Sequence, residues 1–442
     1  MSTINKYMFY VAFVASMGGF LFGFDTAVIS GAEAAIQQVY RLSDYWHGFT
    51  IAIALIGTII GTMICGKPVE KYGRKLTLQW VACVYLISAL GCSLIVDWYS
   101  FLFFRFIGGV AVGASSVVGP MYLAEISPSR WRGRFVAFFQ FNIVFGIVAA
   151  YVSNYWLAGI SEDWRWMLGV LAIPSSLFGL LLFTIPESPR WLIKQRREEE
   201  AKHVFEKIGA QSITAELAAI KASFTTTSTD EHLFQRKYYK PILFALLIAT
   251  FNQLSGINAI LYYAPRIFES AGLLRDSALM QSSLIGLTNL IFTMLAMIII
   301  DRVGRRNLLL VGSIGMIISL GLVAKGFYED SFSGYSMLFY LIGFIASFAI
   351  SLGAVIWVLI AEIFPTSVRS KGQVLGSMTH WVWNTILSWT FPIIVGGSRF
   401  GAAWMFGFFA LAMVANFFFA WFVLPETKNK SLEQLQDELT TH

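Results

Sequence analysis

Twelve stretches of about twenty mostly apolar residues, set apart by short charged clusters, leave this chain few ways to fold. They run from Tyr7 to Gly31, His47 to Gly66, Leu76 to Val96, Phe101 to Ala124, Phe135 to Leu157, Trp166 to Ile185, Ile242 to Phe268, Ser277 to Ile300, Leu308 to Tyr328, Met337 to Ala361, Val374 to Gly396 and Ala403 to Leu424. A helix needs roughly 20 apolar residues to cross the hydrocarbon core of a bilayer. Segments of that length satisfy their backbone hydrogen bonds in lipid only as helices. The predicted fold class is an all-α membrane protein of twelve transmembrane helices. With 57% hydrophobic and 13% charged residues, the chain is too apolar for an ordinary soluble protein. The first stretch follows Lys6 as a signal peptide would, but it is long, carries Asp25 and lacks a clear cleavage site, so it reads as a retained helix. Cys65, Cys83 and Cys92 lie within or at the ends of apolar stretches, which suggests buried small side chains and neither a disulfide framework nor a metal cluster.

The net charge is +6, and its placement carries the information. Lys67, Lys71, Arg74, Lys75, Arg130, Arg132, Arg134, Arg302, Arg305, Arg306, Arg369 and Lys371 follow stretches 2, 4, 8 and 10. The opposite loops hold half as many cations: Arg41, Arg165, Arg266, Arg275, Lys325 and Arg399. By the positive-inside rule the even-numbered exits and both termini are cytoplasmic. The basic surplus therefore reports topology and gives no reason to expect nucleic-acid binding.

The longest polar segment, Glu187 to Lys240, separates two sets of six stretches. The predicted organisation is an N-terminal six-helix bundle (1–186), a cytoplasmic linker (187–240), a C-terminal bundle (241–424) and a cytoplasmic tail (425–442). Within the linker, Arg196 to Gly209 can form an amphipathic helix with Ala201, Val204, Phe205 and Ile208 on one face, and Thr214 to Phe224 is a second candidate. The linker reads as a solvated connection or as a docking site for a regulator. An internal repeat links the two sets. Gly66-Lys-Pro-Val-Glu-Lys-Tyr-Gly-Arg-Lys75 is answered by Asp301-Arg-Val-Gly-Arg-Arg306, and Glu125-Ile-Ser-Pro-Ser-Arg-Trp-Arg-Gly133 by Glu362-Ile-Phe-Pro-Thr-Ser-Val-Arg369, 237 positions on. Trp166-Met167 and Pro186-Glu187 return as Trp404-Met405 and Pro425-Glu426. Parallel repeats related by an axis along the membrane normal are a plan of alternating-access carriers.

Together with Pro186-Glu-Ser-Pro-Arg-Trp-Leu192, Pro425-Glu-Thr-Lys428 and Gln253-Leu-Ser-Gly-Ile-Asn258, these loops resemble the sugar porter family of the major facilitator superfamily. The likeness spans nearly the whole chain and is strongest to bacterial sugar and proton symporters such as the xylose and glucose carriers. It implies the major facilitator fold, a monosaccharide substrate, a bacterial plasma membrane and a monomer.

Within the membrane, away from the helix ends, the charged residues are Asp25 in stretch 1 and Arg105 in stretch 4. Such residues are costly unless paired or functional. Asp25 lies about 6 residues from the outer end of its stretch and Arg105 about 5 from the outer start of its own, so at 1.5 Å per residue they share a depth. They form either a static salt bridge or a proton-coupling pair in which Asp25 titrates and Arg105 stays charged. In the resemblance, an acid in Phe-Gly-Phe-Asp25 goes with proton symport. That favours a symporter, with protons as the coupling ion and no other cofactor, over a passive sugar or polyol facilitator. One proton supplies roughly 2.3 kcal/mol per 100 mV and about 1.4 kcal/mol per pH unit.

A sugar site needs amide and hydroxyl partners and an aromatic face. Stretch 7 carries Asn252, Gln253, Ser255, Asn258, Tyr262 and Tyr263, with Gly256 as a weak point in the helix. The alternative role for such residues is interhelical hydrogen bonding. By resemblance, Gln140, Asn252, Gln253, Asn258, Asn289, Trp357 and Trp381 contact sugar, Tyr262 and Tyr263 close it off from outside, and Phe22 and Phe24 add an apolar wall. Three departures stand out: Asn252 replaces a glutamine, His380 replaces another and is a sugar contact or a core histidine, and Gly353-Ala-Val-Ile-Trp357 lacks the usual proline. On the cytoplasmic side, Glu70, Arg74, Glu125, Arg132 and Arg134 in one half, and Asp301, Arg305, Glu362 and Arg369 in the other, read as ion-pair latches or as orientation signals alone. His47, His203, His232, His380 and His442 show no pairing spacing, so an enzyme is not expected. A sugar sensor would be expected to carry a longer tail.

Overall fold

The computed structural model describes residues 6–128, 131–210, 212–225, 232–332, 334–365 and 367–428. Ser129, Arg130 and Thr366 of the expected latch loops, and residues 429–442 of the expected tail, lie outside them. Among the described residues every regular element is helical, as lipid burial of the backbone demands. The helices are α1 (Lys6–Val39), α2 (Asp44–Ile64), α3 (Gly66–Tyr72), α4 (Arg74–Leu94), α5 (Trp98–Ile126), α6 (Arg132–Leu157), α7 (Asp163–Gly169) and α8 (Ala172–Leu181). The linker forms α9 (Pro189–Lys194), α10 (Glu198–Ile208) and α11 (Ile213–Thr225), and a 3-10 turn at Arg236–Tyr238 leads on. Then come α12 (Tyr239–Leu254), α13 (Ile257–Ser270), α14 (Arg275–Val303), α15 (Arg305–Glu329), α16 (Ser336–Ile350), α17 (Leu352–Ile363), α18 (Arg369–Gly397) and α19 (Gly401–Phe422).

Eleven segments among the described residues are long and apolar enough to cross a membrane. The remaining expected stretch, the eleventh, is α18, which has the length at 29 residues but carries Lys371, Gln373, His380, Asn384, Thr385 and Ser388 along it. Three of the twelve are interrupted. The sixth breaks between α7 and α8, the seventh at Ser255 and Gly256 between α12 and α13, and the tenth at Ser351 between α16 and α17.

The breaks in the seventh and tenth stretches each have an identifiable cause. Gly256 adopts φ 83°, and a Cβ there would lie 2.4 Å from the Phe409 ring, so no other residue fits both the backbone and the space. Ser351 sits at φ −118°, ψ −99°, with its hydroxyl donating to Ser347 O at 2.6 Å and packing against Gly312 of α15. The tenth stretch therefore breaks without the proline that Ala354 replaces. The first helix runs past its expected end at Gly31 to Val39, which takes Glu33 and Gln37 into regular structure. In the linker, Ala201, Val204, Phe205 and Ile208 of α10 are all buried, as its amphipathic pattern requires.

The chain divides into two compact units. One comprises Met1–Val28, Ile53–Ser153 and Gly159–Ser228; the other comprises Ile29–Ala52, Asn154–Ala158 and Thr229–His442.

Candidate functional site

In the first unit, Asp25 and Arg105 are both buried, at 5% and 4% exposure. Arg105 Nη1 donates to Asp25 Oδ1 at 3.0 Å. Fully buried Tyr85 and Cys92 lie within electrostatic reach of the pair. A carboxylate and a guanidinium facing each other at low dielectric form a strong charge-assisted bond. The same dielectric makes either group costly without the other. Gln140 is half-buried on α6.

In the second unit, the break at Gly256 turns a run of amides into a cluster. Asn252 and Gln253 close α12, Asn258 opens α13, and His380 comes across from α18. Gln253 Nε2 donates to Asn252 Oδ1 at 3.0 Å and lies 3.0 and 3.2 Å from the two ring nitrogens of His380, whichever of them is unprotonated accepting. Asn258 Nδ2 donates to Gln253 Oε1 at 3.0 Å. Gln253 thus has both its N–H donors and its oxygen occupied by protein partners. Asn252 Nδ2 donates to Leu352 O at 3.1 Å, which ties the end of α12 to the start of α17 just beyond the break at Ser351.

Trp357 and Trp381 flank the imidazole, with ring centroids 5.1 and 5.2 Å from that of His380. Trp357 keeps 41% of its surface exposed, whereas Trp381 keeps 7%. The result is a neutral donor and acceptor array beside two indole faces, matched to a polar, uncharged ligand with an apolar side. Asn289, buried on α14, accepts from Thr293 of its own helix at 3.3 Å. Tyr262 and Tyr263 are buried on α13. The Tyr263 hydroxyl donates to Ser388 O at 3.0 Å, and its ring stacks on Phe391 at 5.0 Å. Phe24 is buried on α1 with its ring 5.8 Å from Phe20.

The residues expected on the cytoplasmic side form two networks built alike. In the first unit, Arg74 Nη2 donates to Glu125 Oε1 at 2.7 Å, and Ser188 Oγ to Glu125 Oε2 at 2.5 Å. Glu187 Oε1 accepts the backbone N–H of Arg74 at 3.0 Å. In the second unit, Arg305 Nη2 donates to Glu362 Oε1 at 2.8 Å, Thr427 Oγ1 to Glu362 Oε2 at 2.6 Å, and Glu426 Oε1 accepts Arg305 N–H at 3.0 Å. Gly73 at φ 92°, ψ 172° and Gly304 at φ 97°, ψ 155° both occupy a region that is essentially glycine's alone. At each, a Cβ would meet the carboxylate that caps the next helix, 2.3 Å from Glu187 Oε2 and 2.6 Å from Glu426 Oε2. Burial pushes the Glu187 carboxyl above its usual range, while the backbone N–H groups of Ser188, Lys75 and Arg74 pull it back.

The other expected latch residues are placed as follows. Asp301 joins Arg305 at 3.0 Å, and Glu70 is an exposed partner of Lys194 at 3.8 Å. Arg132 donates to Ala124 O at 2.9 Å, Arg134 lies over the Trp131 ring at 4.5 Å, and Arg369 donates to Phe364 O at 3.3 Å, so these three bond to carbonyls or stack on an indole. Glu187, Ser188, Glu426 and Thr427 were not singled out from the sequence as network members. The repeated Pro-Glu-Ser and Pro-Glu-Thr triplets were the available signal.

The family described as "Sugar (and other) transporter" matches residues 11–439. The D-xylose-proton symporter of Escherichia coli (strain K12) is 34% identical over 98% of this chain and 96% of its own length. The arabinose-proton symporter of Bacillus subtilis (strain 168) is 34% identical over 96% of this chain and 94% of its own. Among solved structures, the inward open conformation of the xylose transporter XylE from E. coli matches with a TM-score of 0.87 at 34% identity, covering 98% of this chain and all of that one.

Proposed function

The chain belongs to the sugar transporter family, and from that premise we propose that it moves a monosaccharide, hexose or pentose, by alternating access in symport with protons. The observation that carries the reading is the buried Asp25–Arg105 pair, an ionisable couple set apart from a neutral amide, imidazole and indole cluster suited to hydroxyl groups. Relatives that span almost the same length are named as xylose and arabinose symporters with protons, which supports both the substrate class and the coupling ion.

In this reading Asp25 exchanges the proton and Arg105 sets when it can. Gln140, Asn252, Gln253, Asn258, Tyr262, Asn289, Trp357, His380 and Trp381 bind sugar, whose hydroxyls displace the bonds that Gln253 makes to its neighbours. Tyr263 gates the outside. The cytoplasmic networks, centred on Arg74 with Glu125 and on Arg305 with Glu362, act as latches together with Glu70, Arg132, Arg134, Asp301 and Arg369. The bundles span 1–186 and 241–424, the linker 187–240 and the tail 425–442. The carrier works as a monomer in a bacterial inner membrane with both termini in the cytoplasm, the side favoured by its basic loops.

The test is external pH in a lightly buffered suspension of de-energised cells producing the protein, on adding xylose, glucose, galactose, fructose, arabinose or inositol in turn. Alkalinisation by one sugar is expected and names the substrate. Labelled sugar entering without a pH change would make the protein a uniporter, and entry of none would refute the substrate class.

A further inference from the structure

A second buried ionisable cluster begins eight residues after Asp25, in the other unit, and takes no part in the amide site. Its members come from three helices of the second unit. Glu33 lies on the part of α1 beyond its expected end, His47 one turn into α2, and Arg266 on α13. Glu33 and His47 have side chains 1% and 0% exposed, and Glu33 Oε2 lies 2.7 Å from His47 Nε2. Glu33 Oε1 lies 3.0 Å from Arg266 Nε, and Arg266 Nη2 also donates to Gln37. The His47 ring meets the Tyr263 ring edge-on at 6.0 Å. One carboxylate thus serves an imidazole from α2 and a guanidinium from α13.

We propose that Glu33 and His47 form a second proton-binding site, facing the outside, in which a proton and the Arg266 guanidinium compete for the same carboxylate. While Arg266 holds Glu33, the carboxylate's charge is balanced, and an imidazolium would place a second cation on a carboxylate shut off from solvent, at high cost. His47 Nε2 then stands 2.7 Å from the carboxylate without adding a charge to the site. When α13 withdraws from α1 and α2 to admit substrate, Glu33 loses its cation. His47 takes a proton from the external solution, and the imidazolium replaces the guanidinium. On closure Arg266 returns and the proton leaves to the outside. Acid outside therefore favours the arrangement in which α13 is withdrawn.

Further charged groups lie around the cluster. Asp44 of α2 accepts from Gln37 Nε2 at 2.9 Å. Glu269 of α13 lies within electrostatic reach of Glu33, Arg266 and Arg275 of α14, and Tyr263 within reach of Glu33, Arg266 and Tyr262.

The inference rests on the alternating-access reading, and its test is made without sugar or transport. In an Asp25→Asn background with Cys65, Cys83 and Cys92 replaced, spin labels are placed at two exposed positions, Val39→Cys at the end of α1 and Leu274→Cys just past α13 at the start of α14. Pulsed electron resonance then gives the distance between them in lipid nanodiscs from pH 5 to pH 8. The long-distance population is expected to grow at least threefold from pH 8 to pH 5. His47→Gln and, independently, Glu33→Gln are expected to flatten that response, and Arg266→Gln to leave the long-distance population high at every pH. A parent with no pH response, or a response that survives either His47→Gln or Glu33→Gln, would overturn the proposal. A protein that fails to carry sugar but keeps this response would refute the transport reading alone.

Discussion

Replacing Asp25 by Asn separates a structural salt bridge from a proton carrier, because the two roles respond differently to an isosteric loss of charge. The carboxamide oxygen can still accept from Arg105 Nη1 at the position of the present 3.0 Å bond, so the geometry survives while the titrating group goes. Breaking a buried pair by removing one partner outright costs about 3–5 kcal/mol, whereas replacing both members by neutral groups is often close to neutral. Arg105→Leu alone should therefore destabilise the protein strongly by leaving the 5% exposed Asp25 carboxylate without its cation. The double variant Asp25→Asn with Arg105→Leu should recover most of the loss. Function follows a separate arithmetic. With about 100 mV and one pH unit across the membrane, one proton per sugar supplies roughly 3.7 kcal/mol, or accumulation on the order of 500-fold. Asp25→Asn should exchange labelled sugar across right-side-out vesicles yet accumulate it about one-fold, with no response to an imposed potential. Accumulation by Asp25→Asn at the parent's level would refute the coupling role and leave the pair as a structural one.

Two further outcomes test the site and its supports. His380→Leu should weaken sugar binding about 2- to 10-fold, the range for losing one neutral hydrogen bond, while His380→Gln should keep it. Tryptophan fluorescence reads both titrations, since Trp357 and Trp381 flank the imidazole. Glu187 has its carboxyl raised by burial, so the folded chain holds this proton where the unfolded chain has released it. Its contribution to stability is thus present below the ordinary glutamate value of about 4.3 and lost as pH rises through the raised one. Glu187→Gln should flatten that part of the melting temperature's pH dependence, and an unchanged profile would show that Glu187 does not titrate there.

What could be read from the sequence follows from which forces are local. Burial in lipid is recorded residue by residue, so the long helices were legible, and a weak point in the seventh stretch was legible because Gly256 is a glycine. The break at Ser351 was not, since it depends on a side chain packing against Gly312 of another helix. Glu33 was missed because the first stretch was ended at Gly31, although the helix continues to Val39. His47 showed no useful spacing from any other histidine, and its partner is a carboxylate one helix away. The amides around Gly256 were legible as a group. That Gln253 commits both its N–H donors and its oxygen to Asn252, His380 and Asn258 required coordinates.

The duplicated halves kept their ends and diverged in their middles, and that pattern says what each is for. The arginine–glutamate–hydroxyl networks recur almost bond for bond, with Arg74, Glu125 and Ser188 answered by Arg305, Glu362 and Thr427. Both copies even need a glycine at the same strained backbone position. At membrane depth the correspondence stops. The 237-residue offset that carries Glu125 onto Glu362 puts Ile342 at the place of Arg105, so the buried charge pair has a guanidinium in one half only. The Gly256 break, the amide run and His380 belong to the other half. The ends are alike, whereas the middles differ: the first unit holds the Asp25–Arg105 pair, and the second holds the amide array and the Glu33–His47–Arg266 cluster.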